Sequence, residues 1–224
     1  MPPKPKFTKE FITKKAYKIV ASEGINGLTA RNLGNKLGSS ARPIFTVFKN
    51  MDDVKREVRK IAIIKFKEYL SGCEKLKDIA VATVRYANTS PEMFKLIFTL
   101  ETDAEQNGFN NLGGIEEIFT QAVDDEYNLT RSETKKVFEQ IFITIYGMAT
   151  LATGKMREFS EREITEKINQ TIENMSLLPK LMEKPNEVKT ESFVKPIKQE
   201  EEKPSEESKP IKKPEKEKIF SWLD

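Results

Sequence analysis

The chain has 224 residues, with 38 Lys and Arg against 35 Asp and Glu, one Cys (Cys73), one Trp (Trp222) and no His. Without histidine there is no Ser-His-Asp or Cys-His catalytic system and no His-ligated zinc site, and a lone cysteine forms neither an internal disulfide nor an all-cysteine metal cluster. Charge is unevenly placed: residues 1–70 are net +10, residues 71–180 net −6 and residues 181–224 net −1, the footprint of a basic head that meets a polyanion.

In chain order, Met1-Pro2-Pro3-Lys4-Pro5-Lys6 lacks the apolar run of a signal peptide. No stretch of about 18 apolar residues follows, so a cytoplasmic protein with no membrane partner is expected. Thr8 is a candidate N-cap, with Phe7 before it and Ile12 at the fourth helical position as a hydrophobic staple. Ile12, Ala16, Ile19 and Val20 line one face of that helix, and Gly24 ends it. Thr29 caps a second, short helix through Leu37, and Gly38 stops it. Ser40 is expected to cap a third helix running to about Val47. Asn50 caps a fourth that reaches about Leu70, with Asp52 and Asp53 in its first turn, where the helix dipole favours acids.

Further on, a helix is predicted over roughly 74–89, and Ser90-Pro91-Glu92 opens another with proline in its first turn. Residues 105–114, rich in Gly and Asn, read as a loop before a helix from Gly114 to Tyr127. Thr130-Arg131-Ser132-Glu133 and Ser160-Glu161-Arg162-Glu163 are capping boxes. The first opens a long apolar helix ending at Gly154, and the second a helix carrying Ile164, Ile168, Ile172 and Met175. From Glu183 the chain turns to Lys, Glu and Ser punctuated by proline, too poor in apolar groups to offset the entropy of ordering. The closing Ile219-Phe220-Ser221-Trp222-Leu223-Asp224 is either a short docking motif or an end that touches nothing.

The predicted fold is all-α, with about nine helices. Residues 1–50 form a three-helix helix-turn-helix DNA-binding domain, 51–180 a helical ligand-binding and dimerisation domain, and 181–224 a disordered tail. Two short helices around Gly38 and Ser39 bring the start of the second, Ser40-Ala41-Arg42-Pro43, toward base edges of a major groove. Arg42 is the expected base reader, since a guanidinium reaches guanine O6 and N7 together.

Residues 12–58 resemble the DNA-binding domain of the TetR family of transcriptional repressors. The resemblance rests on Ala16, Glu23-Gly24, Leu28-Thr29, Leu37-Gly38, Ser40, Ile44-Phe45, Phe48 and Asn50-Met51-Asp52-Asp53-Val54, in order and without gaps. It implies that Thr29 caps a helix near phosphate and that Ser40, Ala41, Arg42 and Pro43 face the groove. The family's usual Tyr is Phe45 here and its usual Lys is Met51, which weakens anchoring to the DNA backbone. Lys49 and Lys55 stand nearby as substitutes, and Lys4, Lys6 and Lys9 as an arm.

Val84-Arg85-Tyr86-Ala87, Pro91–Phe98 and Ile145-Tyr146-Gly147-Met148-Ala149 resemble the regulatory domain of a TetR branch with a His-Gly pair in its eighth helix. Tyr146 stands in place of that His. The helix over 133–153 is apolar on nearly every side and must be buried all round, partly by a partner subunit. Ile141, Ile145, Met148, Ile164, Ile168 and Ile172 are the expected interface of a homodimer. Phe94, Phe98, Phe119, Phe142 and Tyr146 are the expected lining of a pocket for a small hydrophobic effector, or else plain core. Glu116-Glu117 and Asp124-Asp125-Glu126 read as a solvated face.

The function expected from these residues is a non-enzymatic regulator of transcription, without cofactor or metal. As a homodimer it is a repressor released from a palindromic operator on double-stranded DNA by an effector. The alternative is an interaction protein of the same fold, weakened in DNA binding, that acts through its tail.

Overall fold

Thr8 begins the first helix as its side chain predicts: its hydroxyl accepts from Phe11 N at 3.2 Å, and α1 runs Lys9–Gly27. The computed structural model describes residues 7–98 and 112–175. Lys4, Lys6, most of the 105–114 loop and the whole 181–224 tail, with its terminal motif, lie outside the described residues. Those described comprise eight α-helices, one 3₁₀ helix and no strand, an all-α fold. No helix among them is long and apolar enough to cross a membrane.

α1 breaks at Gly24, whose φ of 73° and ψ of 178° belong to a region that only glycine enters readily. The helix proper ends where expected, and a last turn carries the chain to Gly27. Thr29 then caps α2 (Ala30–Lys36) by accepting from Asn32 N at 3.1 Å. Asn50 caps α3 (Met51–Leu70) by accepting from Asp53 N, and the Asp53 carboxylate accepts in return from Lys49 N.

The predicted third helix is corrected by the structure. Ser40 caps no α-helix; its hydroxyl accepts from Arg42 N at 3.4 Å within a turn, and the regular element is a 3₁₀ helix of three residues, Ile44–Thr46. The reason is local. Proline at 43 disfavours helical backbone at Arg42. Thr46 donates its hydroxyl to Pro43 O at 2.7 Å, and the β-branched Ile44, Thr46 and Val47 form helix weakly.

In the body, α4 (Leu76–Thr89) and α5 (Pro91–Phe98) are followed by α6 (Ile115–Glu126), α7 (Arg131–Thr153) and α8 (Glu161–Glu173). Both capping boxes close as predicted, Thr130 with Glu133 and Ser160 with Glu163. α4 packs on α7 and α8, α6 packs on α7, and α1 packs on both α3 and α5. Head and body share one continuous set of buried side chains, from Ile12 to Ile172.

Two ties join the halves. Arg59 of α3 is 9% exposed and donates from Nε and Nη2 to Ile97 O, near the end of α5, at 3.0 and 2.8 Å. Phe66 of α3 is fully buried, its ring 4.8 Å from that of Tyr86 and 5.7 Å from that of Phe98.

Candidate nucleic-acid interface

The expected reading turn is held against α2 by Gly34, a residue outside the motif positions. A Cβ on Gly34 would come within 3.0 Å of the Ser40 carbonyl carbon and 3.1 Å of Ala41 N. Backbone, unlike a flexible side chain, cannot step aside. Gly34 therefore sets how closely the 39–41 turn approaches α2, and Ser39 N donates to Gly34 O at 3.0 Å. The signal was a glycine inside a helix of seven residues, a position that glycine destabilises unless close packing needs it.

From this support the turn projects into solvent. Ile44 and Phe48 point inward and are buried, while Ser40, Arg42, Phe45 and Lys49 are exposed and Ala41 and Pro43 are partly so. Arg42 and Lys49 make no ion pair among the described residues. Arg31, on the first turn of α2 two residues after the exposed cap Thr29, is also exposed and unpaired among the described residues, and was not among the expected contacts. Lys55 is less free: it bonds Asp52 at 2.9 Å, and that hydrogen bond and its charge hold the Asp52 carboxyl below its ordinary range. Lys9 is tied to Glu57 at 3.1 Å.

The two departures from the family pattern have different consequences. Met51 is partly buried and packs on the core, so this position gives the surface no cation. Phe45 is 48% exposed on the turn itself, an apolar ring where a hydroxyl is usual.

In the body, the five expected pocket residues meet in one cluster. The Phe94 and Phe98 rings lie 4.7 Å apart, Phe98 is 5.9 Å from Phe142 and 6.3 Å from Tyr146, and Phe119 is 5.8 Å from Phe142. Phe94, Phe119 and Phe142 are buried, and Phe98 and Tyr146 are partly so.

The six expected interface residues are already covered within the single chain. Ile141, Ile145, Met148, Ile164, Ile168 and Ile172 are each at most 8% exposed. They are taken up by the packing of α7 and α8 on each other and on α4. From Lys136 onward, what α7 leaves exposed is a stripe at spacings of three and four: Lys136, Gln140, Ile143, Gly147 and Thr150. Ile143 is 56% exposed, an isoleucine outside the core.

Glu117, Asp124 and Asp125 are exposed and Glu116 and Glu126 partly so, yet two of these acids are also tied inward. Asp124 accepts from the buried Thr134 hydroxyl at 2.5 Å, and Glu126 accepts from Leu76 N at 2.6 Å, standing in for a missing side-chain cap on α4. These pairs tie α6 to α7 and to α4.

No family model matches the chain, and no curated protein matches it. Solved structures do. A member of the TetR family from Streptomyces coelicolor A3, SCO1917, superposes with a TM-score of 0.54 at 13% identity, over 71% of this chain and 95% of that one. SCO4313, described as a regulatory protein, gives 0.54 at 15% identity, over 74% of this chain and 95% of its own. Read together with the head, its capped short helices and the helical body, these superpositions show that the chain has the fold of the TetR-family regulators.

Proposed function

We propose that the protein is a transcriptional repressor, acting in the cytoplasm as a homodimer on a palindromic operator and released by a small apolar effector. The observation that carries this reading is the exposed turn over 40–49. It presents Arg42 and Lys49 with no acid to neutralise them, on a segment of net +10. Such a turn has little use for that much uncompensated cation except against phosphate and guanine. Ser40, Ala41 and Pro43 shape its edge, Thr29 and Arg31 approach the flanking phosphates, and Lys55 contributes less because Asp52 holds it.

The dimer in this reading forms through the α7 stripe rather than the six buried residues. Gly147 and Thr150 let a partner helix come close, and Ile143 supplies the apolar contact. A two-fold axis there sets two heads at a fixed separation, as a palindrome requires. The effector is read by the Phe94, Phe98, Phe119, Phe142 and Tyr146 cluster. α5 carries two of those rings and is bonded through Ile97 to Arg59, so a ligand that shifts α5 biases the position of α3 and the head.

Arg42→Ala tests the reading turn. On a duplex selected by the wild-type protein, affinity is expected to fall by about 1–3 kcal/mol, with relaxed choice at one base step. Binding isotherms of equal midpoint for mutant and wild type would remove Arg42 from that role.

A further inference from the structure

A cavity of 370 Å³ opens where α1, α3, α4 and α5 meet, apart from the five-ring cluster of the body. Its wall includes Tyr17, Lys65, Tyr69, Tyr86, Pro91 and Met93. Tyr86 is only 8% exposed, with its ring packed between Phe66 and Tyr69 at 4.8 and 5.3 Å. Its hydroxyl nevertheless makes no hydrogen bond among the described residues, and neither do those of Tyr17 and Tyr69. The Tyr86 hydroxyl is not fully sealed, and its residue lines the cavity. A buried phenol normally finds a partner. Here the one buried phenol, Tyr86, lacks a partner beside a cavity that the half-buried Tyr17 and the exposed Tyr69 also line, which points to something that accepts from it.

The other groups on the wall share that polarity. Lys65 is half-buried and has no ion pair among the described residues. The first turn of α5 lines the cavity, and the Phe94 amide donates to Ser90 O at 3.0 Å. The amides ahead of it sit at the positive end of the helix. The one acid on this wall, Glu92, is bonded to Lys95 at 2.8 Å and lies against Gly24 of α1. Burial pushes the Tyr86 phenol far above its ordinary range, with Tyr17 and Tyr69 adding to it, and burial raises Tyr17 as well. Both remain protonated donors at neutral pH.

We infer that this cavity is a binding site for a small single-ring carboxylate, whose oxygens accept from Tyr86 and Lys65 and whose ring lies among Tyr17, Tyr69, Pro91 and Met93. The volume sits at the small end of the range for small-molecule sites, which suits a single ring. A charge-assisted bond to Lys65 and a neutral bond from the Tyr86 phenol fit a carboxylate better than an alcohol or an amine. The site joins α1 of the head to α4 and α5 of the body, and it stands whether or not the protein binds DNA.

The test uses the full chain, without DNA, and benzoate as probe, followed by calorimetry and by the rise of the melting temperature. Benzoate is expected to bind, and benzamide, which lacks the charge, at least about tenfold more weakly. Tyr86→Phe keeps the ring and removes the donor, and Lys65→Met removes the charge from a half-buried position. Each is expected to weaken benzoate about tenfold, consistent with one hydrogen bond to a charged group. Lys65→Met does not depend on the core, so it decides the matter if the Tyr86 variant unfolds. Equal affinity in wild type and Lys65→Met, or no binding of benzoate by the wild type up to about 10 mM, would overturn the assignment.

Discussion

Phe66→Ala is expected to destabilise the protein by about 3–5 kcal/mol, the range for a fully buried phenylalanine that leaves a cavity behind. Phe66 is the ring that α3 inserts between Tyr86 of α4 and Phe98 of α5, so its removal strips contacts from both. The surrounding helices are themselves packed and collapse little into the space. Urea unfolding followed by circular dichroism measures the change, as a lower midpoint at unchanged slope. A loss below about 1 kcal/mol would mean that the surrounding helices close the gap, and that α3 is not a rigid link between head and body.

Arg59→Met is the second large effect, expected at about 1.5–3 kcal/mol, because it removes two bonds from a charged donor to one carbonyl. Methionine keeps most of the aliphatic volume, so the cost is that of the lost guanidinium bonds, the two at Ile97 O among them. Burial lowers the Arg59 pKa, yet a guanidinium stays charged at any physiological pH, so the tie does not switch with acidity. The cost should be local. Hydrogen exchange of the α5 amides should quicken more than that of α7. Unchanged exchange in α5 would show that its end is held by packing alone, and would cut the proposed route from effector to head.

Much of the fold was legible because helix starts are written locally. Thr8, Thr29, Asn50, Thr130 and Ser160 each cap a helix at the predicted place, since a side-chain oxygen at the right offset is all a cap needs. The 40–47 segment escaped the same reasoning. There a cap-like serine competes with a proline and three β-branched residues, and the turn won. Which apolar face would meet a partner subunit is hard to read from sequence for a different reason. Periodicity says that the isoleucines of α7 and α8 are buried, not whether the burying surface belongs to the same chain. Within this chain, α4 and the two helices themselves supply it. The Asp124–Thr134 pair and the tyrosine cavity depend on approaches between separate segments. No spacing within one segment announces them. The five-ring cluster came through because aromatic side chains on α5, α6 and α7 had few other apolar places to go.

Two copies of this protein are expected to set two cationic turns on one duplex. Selecting binding sites from a random duplex pool, then measuring stoichiometry and salt dependence on the recovered sequence, is the decisive experiment. The expected outcome is an inverted repeat, two protomers bound per duplex, and an affinity that falls steeply and linearly on logarithmic axes as salt rises. Recovery of no preferred sequence, or a single protomer bound with an affinity indifferent to salt, would refute the paired arrangement.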